Sequence, residues 1–150
     1  METGLRGRHA LVTAASKGLG FASARALAAE GCRVAIASSN AQNLEAATQA
    51  LYKQGHEVQG RVADIRKSDQ CTELIEWAIA TLGGLDVLVN NTRGPIFGTV
   101  QDLDDAAWRD AFDLVLMSAI RLSRAAFARS APGWWRRHRQ PHLDCGASAA

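Results

Sequence analysis

The segment TAASKGLG, residues 13–20, decides the fold of this chain. The apolar run RHALVTAAS at residues 8–16 leads into it, and the helix-like run GLGFASARALAAEG at residues 18–31 follows. The glycines at 18 and 20 open that helix, where backbone N–H groups and the positive end of the helix dipole can receive a phosphate. A pair of glycines alone is also typical of a tight turn that needs positive φ. Their place in the first strand–turn–helix unit of a longer series favours a dinucleotide-binding turn.

Apolar strands and amphipathic helices alternate along the chain up to about residue 128. Strand patterns lie at RVAIASS (33–39), HEVQGRVAD (56–64) and LDVLVNN (85–91), and helix patterns at AQNLEAATQALYKQG (41–55) and SDQCTELIEWAIATLGG (68–84). Ser68 is the expected N-cap of the third helix. The fourth strand is apolar enough to be covered on both faces.

A long helix is expected to follow, from about Asp104 to Ala128. Its predicted apolar face comprises Trp108, Phe112, Val115, Leu116, Ala119, Ile120 and Phe127. The whole pattern predicts an α/β fold with a doubly wound parallel sheet, Rossmann-like, that is truncated after the fourth strand and this long helix.

Composition and charge argue against several functional classes. The sequence has 17 Lys/Arg and 15 Asp/Glu residues. Three of the basic residues and one of the acidic residues lie beyond residue 130, so residues 1–130 carry no net formal charge. That balance argues against a nucleic-acid or anionic-membrane partner, and no apolar run approaches the ~20 residues of a membrane span. Three widely spaced cysteines, Cys32, Cys71 and Cys145, predict free thiols in the cytoplasm and no metal site. We expect no export signal at the N-terminus.

The segment LDVLVNNTRG, residues 85–94, resembles the Asn-Asn-Ala-Gly segment of the short-chain dehydrogenases/reductases, in particular members similar to 3-oxoacyl-carrier-protein reductases. With the glycine-rich turn and the Asp64-Ile65 pair after the third strand, three motifs match the Rossmann half of that family, in order, over residues 5 to about 128. The resemblance implies an NAD(P)(H)-binding fold and hydride transfer to or from a carbonyl or alcohol. A parallel α/β domain with coincidental glycines is the alternative.

The resemblance also implies a set of cofactor-binding residues. The turn would line the pyrophosphate and ribose, the end of the second strand would decide between cofactors, the end of the third would flank the adenine, and the end of the fourth would lie near the nicotinamide ribose. In chain order the set is Thr13, Ser16, Lys17, Gly18, Leu19, Gly20, Ser38, Ser39, Asn40, Asp64, Ile65, Asn91 and Thr92.

The end of the second strand favours NADP(H) over NAD(H). An acidic residue there would bind the 2′-hydroxyl of NAD, and the residues present are Ser38, Ser39 and Asn40. Lys17 is the candidate partner of a 2′-phosphate, and a solvated loop lysine is the alternative reading.

Three positions depart from the family pattern. Ala14 stands where the turn has its first glycine, and we expect this change to require a negative φ. Arg93 replaces the glycine of Asn-Asn-Ala-Gly, on the nicotinamide side. Val115 stands where the long helix commonly supplies an asparagine of the catalytic tetrad.

The family's chemistry needs a serine that polarises the carbonyl, and a tyrosine acid with a lysine four residues on that lowers its pKa. The single tyrosine, Tyr52, lies in the second helix pattern, and His56 stands four residues after it. We therefore assign no catalytic residue and expect the chain to be catalytically incompetent. A non-catalytic dinucleotide-binding fragment is the alternative. A nucleic-acid or membrane binder acting through the basic tail is less favoured, because six residues without a scaffold make a poor site.

Residues 131–150 read as an irregular tail after an incomplete NAD(P)-binding Rossmann domain at residues 1–130. Trp134-Trp135 fixes the bases TGGTGG, which give Gly-Gly when read one base later, and one permitted continuation resembles the family's fifth strand with its serine. We interpret the tail as a frameshift near residues 128–132. Further expectations are a small-molecule substrate, neither nucleic acid nor membrane as partner, and a homo-oligomer or aggregation through the long helix and an exposed sheet edge.

Overall fold

A computed structural model describes residues 3–129 as alternating strands and helices. The strands are β1 (His9–Val12), β2 (Arg33–Ser38), β3 (Val58–Val62) and β4 (Val87–Val89). Helices α1 (Gly18–Ala29), α2 (Ala41–Lys53) and α3 (Ser68–Leu82) connect them, and α4 (Asp105–Phe112), a π-helical segment (Asp113–Met117) and α5 (Ser118–Arg129) follow β4. The tail at residues 131–150, from which the frameshift is inferred, lies outside the described residues.

The four strands form one parallel sheet in the order β3-β2-β1-β4. Side chains alternate between its two faces, as the pleat of a strand requires. Leu11 and Ala35 pack with residues of α3 and α5, whereas Val12, Val34 and Ile36 pack with residues of α1 and α2. Helices on both faces of a parallel sheet confirm the predicted α/β doubly wound fold.

The helix ends follow the sequence pattern at two glycines and depart from it at one cap. Gly31 and Gly55, just after α1 and α2, both have a φ of +84°, so the predicted glycine stops are confirmed. The predicted Ser68 cap is wrong, because Ser68 is the first residue of α3 and Lys67 takes the N-cap position without a side-chain hydrogen bond. The Lys67 N–H bonds the Asp64 carbonyl at 3.0 Å in the preceding turn, which sets the helix start.

Strand β4 is short and half-buried, so the expectation that both of its faces would be covered is wrong. Within residues 3–129 it pairs with β1 alone, through Val87, Leu88 and Val89. Its position at the end of the strand order therefore leaves one backbone edge of the sheet without a strand partner among the described residues.

The predicted long helix is present at the expected bounds, but a π-helical segment at Asp113–Met117 interrupts its α-helical hydrogen bonding. Its buried residues are Leu114, Ser118 and Leu122. The predicted apolar face points outward instead: Trp108, Phe112, Val115, Leu116, Ile120 and Phe127 are between 42% and 58% exposed. The helix thus contacts α3 with a narrow stripe and presents its wider apolar stripe outward.

Candidate functional site

A cavity of about 630 Å³ opens at the carboxyl ends of the parallel strands. This edge is where ligands bind in open α/β sheets. Eleven of the thirteen predicted site residues line it. They are Ser16, Lys17, Gly18, Leu19, Ser38, Ser39, Asn40, Asp64, Ile65, Asn91 and Thr92. The cavity also contacts six residues outside the predicted set, namely Ala14, Asn43, Ala63, Arg66, Arg93 and Leu114.

Thr13 does not line the cavity, because it is fully buried beneath it. Its hydroxyl donates to the Asn91 carbonyl at 2.8 Å and accepts from the Asn91 N–H at 2.9 Å. The Asn91 side-chain amide in turn donates to the Ala14 carbonyl at 3.1 Å. Thr13 therefore fixes the end of β4 against the turn after β1, beneath the cavity.

Gly20 also lies beneath the cavity, where its missing side chain allows a close approach of backbones. A Cβ at this position would lie 2.5 Å from the Ala14 carbonyl oxygen and 2.6 Å from the Asn91 amide nitrogen. The third glycine position of the turn therefore serves helix–strand packing.

Ala14 has a φ of +46°, so the expectation of a negative φ is wrong. The backbone on both sides is held, since the Ala14 carbonyl accepts from Asn91 and the Ala15 N–H donates to the Ala37 carbonyl at 2.9 Å. A residue with a Cβ in this left-handed region costs roughly 1–2 kcal/mol. The turn keeps the shape that a glycine would adopt easily.

The part of the turn that faces the cavity is open. Lys17 and Gly18 are exposed, and Leu19 is 82% exposed. Gly18 has a φ of +56°, and Lys17 precedes α1 with an extended backbone. Lys17 forms no ion pair with any of residues 3–129. The first N–H groups of α1 and an uncommitted ammonium group thus lie together at the cavity, a combination that suits a phosphate.

The end of β2 supplies hydroxyl and amide groups and no acid. The Ser38 hydroxyl donates to the Ser16 hydroxyl at 3.1 Å, which ties β2 to the glycine-rich turn. The Asn40 side chain caps α2 by accepting from the Asn43 N–H at 2.8 Å, so its oxygen is already used. Ser39 is exposed, and its hydroxyl forms no hydrogen bond within residues 3–129, which leaves it available at the rim of the cavity.

The end of β3 carries a charge cluster that sequence analysis missed. Arg66 Nε and Nη2 donate to the two oxygens of Asp64 at 3.0 and 2.8 Å, and Nη1 donates to Asp110 at 3.2 Å. The hydrogen bonds from Arg66 hold the pKa of Asp64 below its usual value. Because Arg66 stands two residues after the predicted site residue Asp64, its position in the sequence could have indicated that it lies at the site. Asp110 lies 44 residues away in sequence, and no local pattern links it to the site.

The end of β4 and the π-helical segment close the remaining side of the cavity. Asn91 and Thr92 are partly buried, and Arg93 is exposed at the rim. Leu114 of the π-helical segment reaches the cavity, whereas Val115 is 45% exposed and is not among the described residues that line it.

Within residues 3–129 no three His, Cys, Asp or Glu side chains come together in a way that could hold a metal ion. In the same range every helix is too short or too polar to cross a bilayer.

A doubly wound parallel sheet with a polar crevice at its carboxyl edge defines a class of α/β proteins that hold their ligands in that crevice. Within this class the chain belongs to the short-chain dehydrogenase family, whose model matches residues 8–132. A protein of Streptomyces virginiae named as a ketoacyl reductase of the monensin polyketide synthase is 39% identical over 118 residues, which are 79% of this chain and 45% of that protein.

Two solved structures show the same likeness. A single-residue variant of actinorhodin polyketide ketoreductase with NADPH is 31% identical with a TM-score of 0.79, covering 87% of this chain and 49% of that one. L-Sorbose reductase from Gluconobacter frateurii, complexed with NADPH and L-sorbose, is 28% identical with a TM-score of 0.78, covering 86% and 51%. The chain spans about half the length of the curated relatives it matches.

Proposed function

We propose that the cavity at the carboxyl edge binds a nicotinamide dinucleotide, and that the family's reaction served by this site is hydride transfer between that cofactor and a small carbonyl or alcohol. The observation that carries the proposal is the convergence of eleven predicted cofactor-binding residues, from four separate segments, on one cavity. When bound, the nicotinamide supplies the hydride-carrying centre. The chain's own residues would bind and orient the nucleotide.

The residues present fit such a cofactor in shape and charge. The first N–H groups of α1 and the Lys17 ammonium suit a phosphate, and Gly18 and Gly20 leave the turn without side-chain bulk. Among the described residues that line the cavity, Asp64 is the one acidic residue, and its carboxylate already pairs with Arg66. An anionic ligand therefore meets little repulsion there.

NADP(H) is the cofactor that we favour over NAD(H). The end of β2 offers Ser38, Ser39 and Asn40, so no carboxylate is present there to bind a free 2′-hydroxyl or to repel a 2′-phosphate. Lys17 lies on the same cavity without an ion-pair partner among residues 3–129. Two structural neighbours carry NADPH in their crystals, which supports the same choice.

The test is a calorimetric comparison of NADPH and NADH binding to the wild-type chain and to Ser39→Asp. We expect the wild type to bind NADPH more tightly. Ser39→Asp should weaken NADPH at least tenfold and leave or improve NADH, because like charges brought together at a binding site cost several kcal/mol. Ser39→Ala is the matched control and should leave both affinities within about threefold, the effect of one exposed hydrogen bond. Equal NADPH affinity in all three proteins would refute the choice of NADP(H).

A non-catalytic dinucleotide-binding module is the second candidate function. It is favoured by one sequence fact, that the 150 residues contain no Tyr-x3-Lys. The two candidates separate in a turnover assay with NADPH and a panel of ketones. We expect the 150-residue chain, assayed by itself, to bind the nucleotide without turnover, and turnover clearly above a protein-free blank would favour the enzyme.

Self-association and location are further proposals. An exposed apolar stripe on the long helix is formed by Trp108, Phe112, Leu116 and Ile120. Exposed apolar stripes of this kind mark contact surfaces, and we propose that this one supports a homo-oligomer.

A reducing compartment such as the cytoplasm is supported by two buried free thiols, Cys32 and Cys71.

A further inference from the structure

The guanidinium group of Arg66 is held along its edge by two carboxylates. Nε and Nη2 donate to the two oxygens of Asp64, at 3.0 and 2.8 Å, which is the bidentate arrangement of strong Arg–carboxylate pairs. Nη1 donates to Asp110 of α4 at 3.2 Å. All three nitrogens of the group therefore have an acceptor, and because these hydrogen bonds lie in the plane of the group, they fix the orientation of that plane.

The loop that carries Arg66 is fixed as well. The Arg66 carbonyl accepts from Arg121 Nη1 at 2.6 Å, and Arg121 also pairs with Asp113 at 2.8 Å. The Arg66 N–H donates to Asp64 Oδ1 at 3.1 Å. Both ends of the residue are thus held between β3 and the long helix, so little side-chain entropy remains to be lost when a ligand binds.

Arg66 lies at the cavity beside the two residues that the family resemblance assigns to the adenine. Asp64, Ile65 and Arg66 all line the cavity at the end of β3, and 38% of the Arg66 side chain is exposed. With its edge taken by carboxylates, this group can offer a ligand its flat face. A planar guanidinium stacks well on aromatic rings.

A phosphate is a poor match for Arg66. Two carboxylates already neutralise the guanidinium, whereas Lys17 and Arg93 line the same cavity and form no ion pair within residues 3–129. An anionic group of a ligand would be drawn to those two cations. The aromatic part of a ligand is the remaining partner for Arg66.

We propose that Arg66 is a stacking platform for the adenine ring of the nucleotide, with Asp64 and Asp110 as the residues that hold the platform flat. The inference rests on the proposed dinucleotide function and adds to it a base-contacting residue outside the predicted site. In this arrangement Asp64 acts in part through Arg66, as a positioning residue, because both of its oxygens already accept from Arg66.

The test compares wild type with Arg66→Lys, which keeps the positive charge and removes the planar face. The probes are NADPH, 2′,5′-ADP as the adenine half and NMN as the half without adenine, all measured by calorimetry. Because lysine keeps the charge but lacks a planar face that can stack on a base, Arg66→Lys should weaken NADPH and 2′,5′-ADP about tenfold and leave NMN unchanged. Arg109→Lys is the matched control, since among residues 3–129 Arg109 pairs with Asp105 alone, on the exposed face of α4, and does not line the cavity.

Two further readouts separate stacking from charge and from misfolding. A stacked pair should lose the same factor at 50 and 500 mM NaCl, whereas a phosphate contact is screened by salt. In NMR spectra of the wild type, the Arg66 Nε–H resonance should move upfield when 2′,5′-ADP is added, because a proton beneath an aromatic ring is shielded. Should Arg66→Lys fail to fold, Asp110→Ala removes one acceptor that holds the guanidinium group and should weaken 2′,5′-ADP two- to threefold.

Three results would overturn the inference, and they are distinguishable. If wild type and Arg66→Lys bound 2′,5′-ADP with the same affinity, the stacking role of Arg66 would be refuted and the proposed function would stand. A loss that disappears at high salt would assign Arg66 to a phosphate instead. Failure of the folded wild type to bind either NADPH or 2′,5′-ADP would refute the proposed function itself, and the inference with it.

Discussion

Replacing Gly20 with alanine tests the packing beneath the cavity most sharply. The new Cβ would lie 2.5 Å from the Ala14 carbonyl oxygen, 2.6 Å from the Asn91 amide nitrogen and 2.9 Å from the Ala15 Cα. Two of these atoms belong to the backbone, so the contact cannot be relieved by turning a side chain. The strand, the turn and the helix must separate by several tenths of an ångström.

The cost follows from three contributions to the free energy of unfolding. Forcing a methyl group into a packed site costs about 1–3 kcal/mol. Displacing the Asn91 amide from the Ala14 carbonyl removes a hydrogen bond that contributes about 1 kcal/mol. Alanine within a helix returns roughly 0.5–1 kcal/mol relative to glycine. We therefore expect Gly20→Ala to lower the free energy of unfolding by about 2 kcal/mol, with a melting temperature lower by ~4–8 °C.

Gly18→Ala is the matched control, two residues earlier in the same turn. A Cβ at Gly18 meets nothing within 4 Å, but its φ is +56°. This substitution should cost about 1 kcal/mol, from the backbone conformation alone. Urea unfolding followed by circular dichroism measures both variants. If Gly20→Ala unfolded at the same urea concentration as the wild type, the claim that Gly20 lies too close to the Ala14 and Ala15 backbone to carry a Cβ would be refuted.

Three further predictions address other parts of the molecule. Ala14→Gly should leave stability unchanged or raise it by up to about 1 kcal/mol, since the relief of a left-handed alanine exceeds the added freedom of the unfolded chain; a clear loss in urea unfolding would contradict the positive φ. The depressed pKa of Asp64 stabilises the fold above its unfolded pKa of about 3.9, and this contribution is lost as pH falls through the lower folded value. Asp64→Asn should therefore flatten the loss of stability between pH 5 and 2, and parallel curves would argue against the Arg66 pair. Because the 150 residues contain no Tyr-x3-Lys, the chain with NADPH and simple ketones should show no NADPH oxidation above a blank. Steady turnover would show that catalysis here does not need that motif.

The sequence pattern predicted the fold well because its signals are local. Alternating apolar runs and glycine stops such as Gly31 depend on neighbouring residues, and the structure confirms both. The helix start at Ser68 was wrong by one residue, since the turn after Asp64 sets it. The π-helical segment at residues 113–117 does not follow from the local pattern of apolar residues, which is that of a continuous helix.

The candidate site was predicted less completely, because part of it depends on contacts between distant segments. The glycine-rich turn and the strand ends identified most of the cavity, but Thr13 and Gly20 proved to lie beneath it. Ala14 has a positive φ, and its carbonyl accepts a hydrogen bond from Asn91, which is 77 residues away in sequence. The bridge from Arg66 to Asp110 likewise joins residues that only the folded chain brings together.

The most direct test of the central claim is a ¹⁵N-labelled NMR titration of the wild-type chain with NADPH. A nucleotide at the carboxyl edge of the sheet should shift the amide signals of Gly18, Ser39, Asp64 and Thr92, which line the cavity there. The amide signal of His56, at a second cavity formed near the starts of β2 and β3, should stay in place. Shifts confined to His56 and its neighbours, or no shifts at millimolar NADPH, would contradict the account.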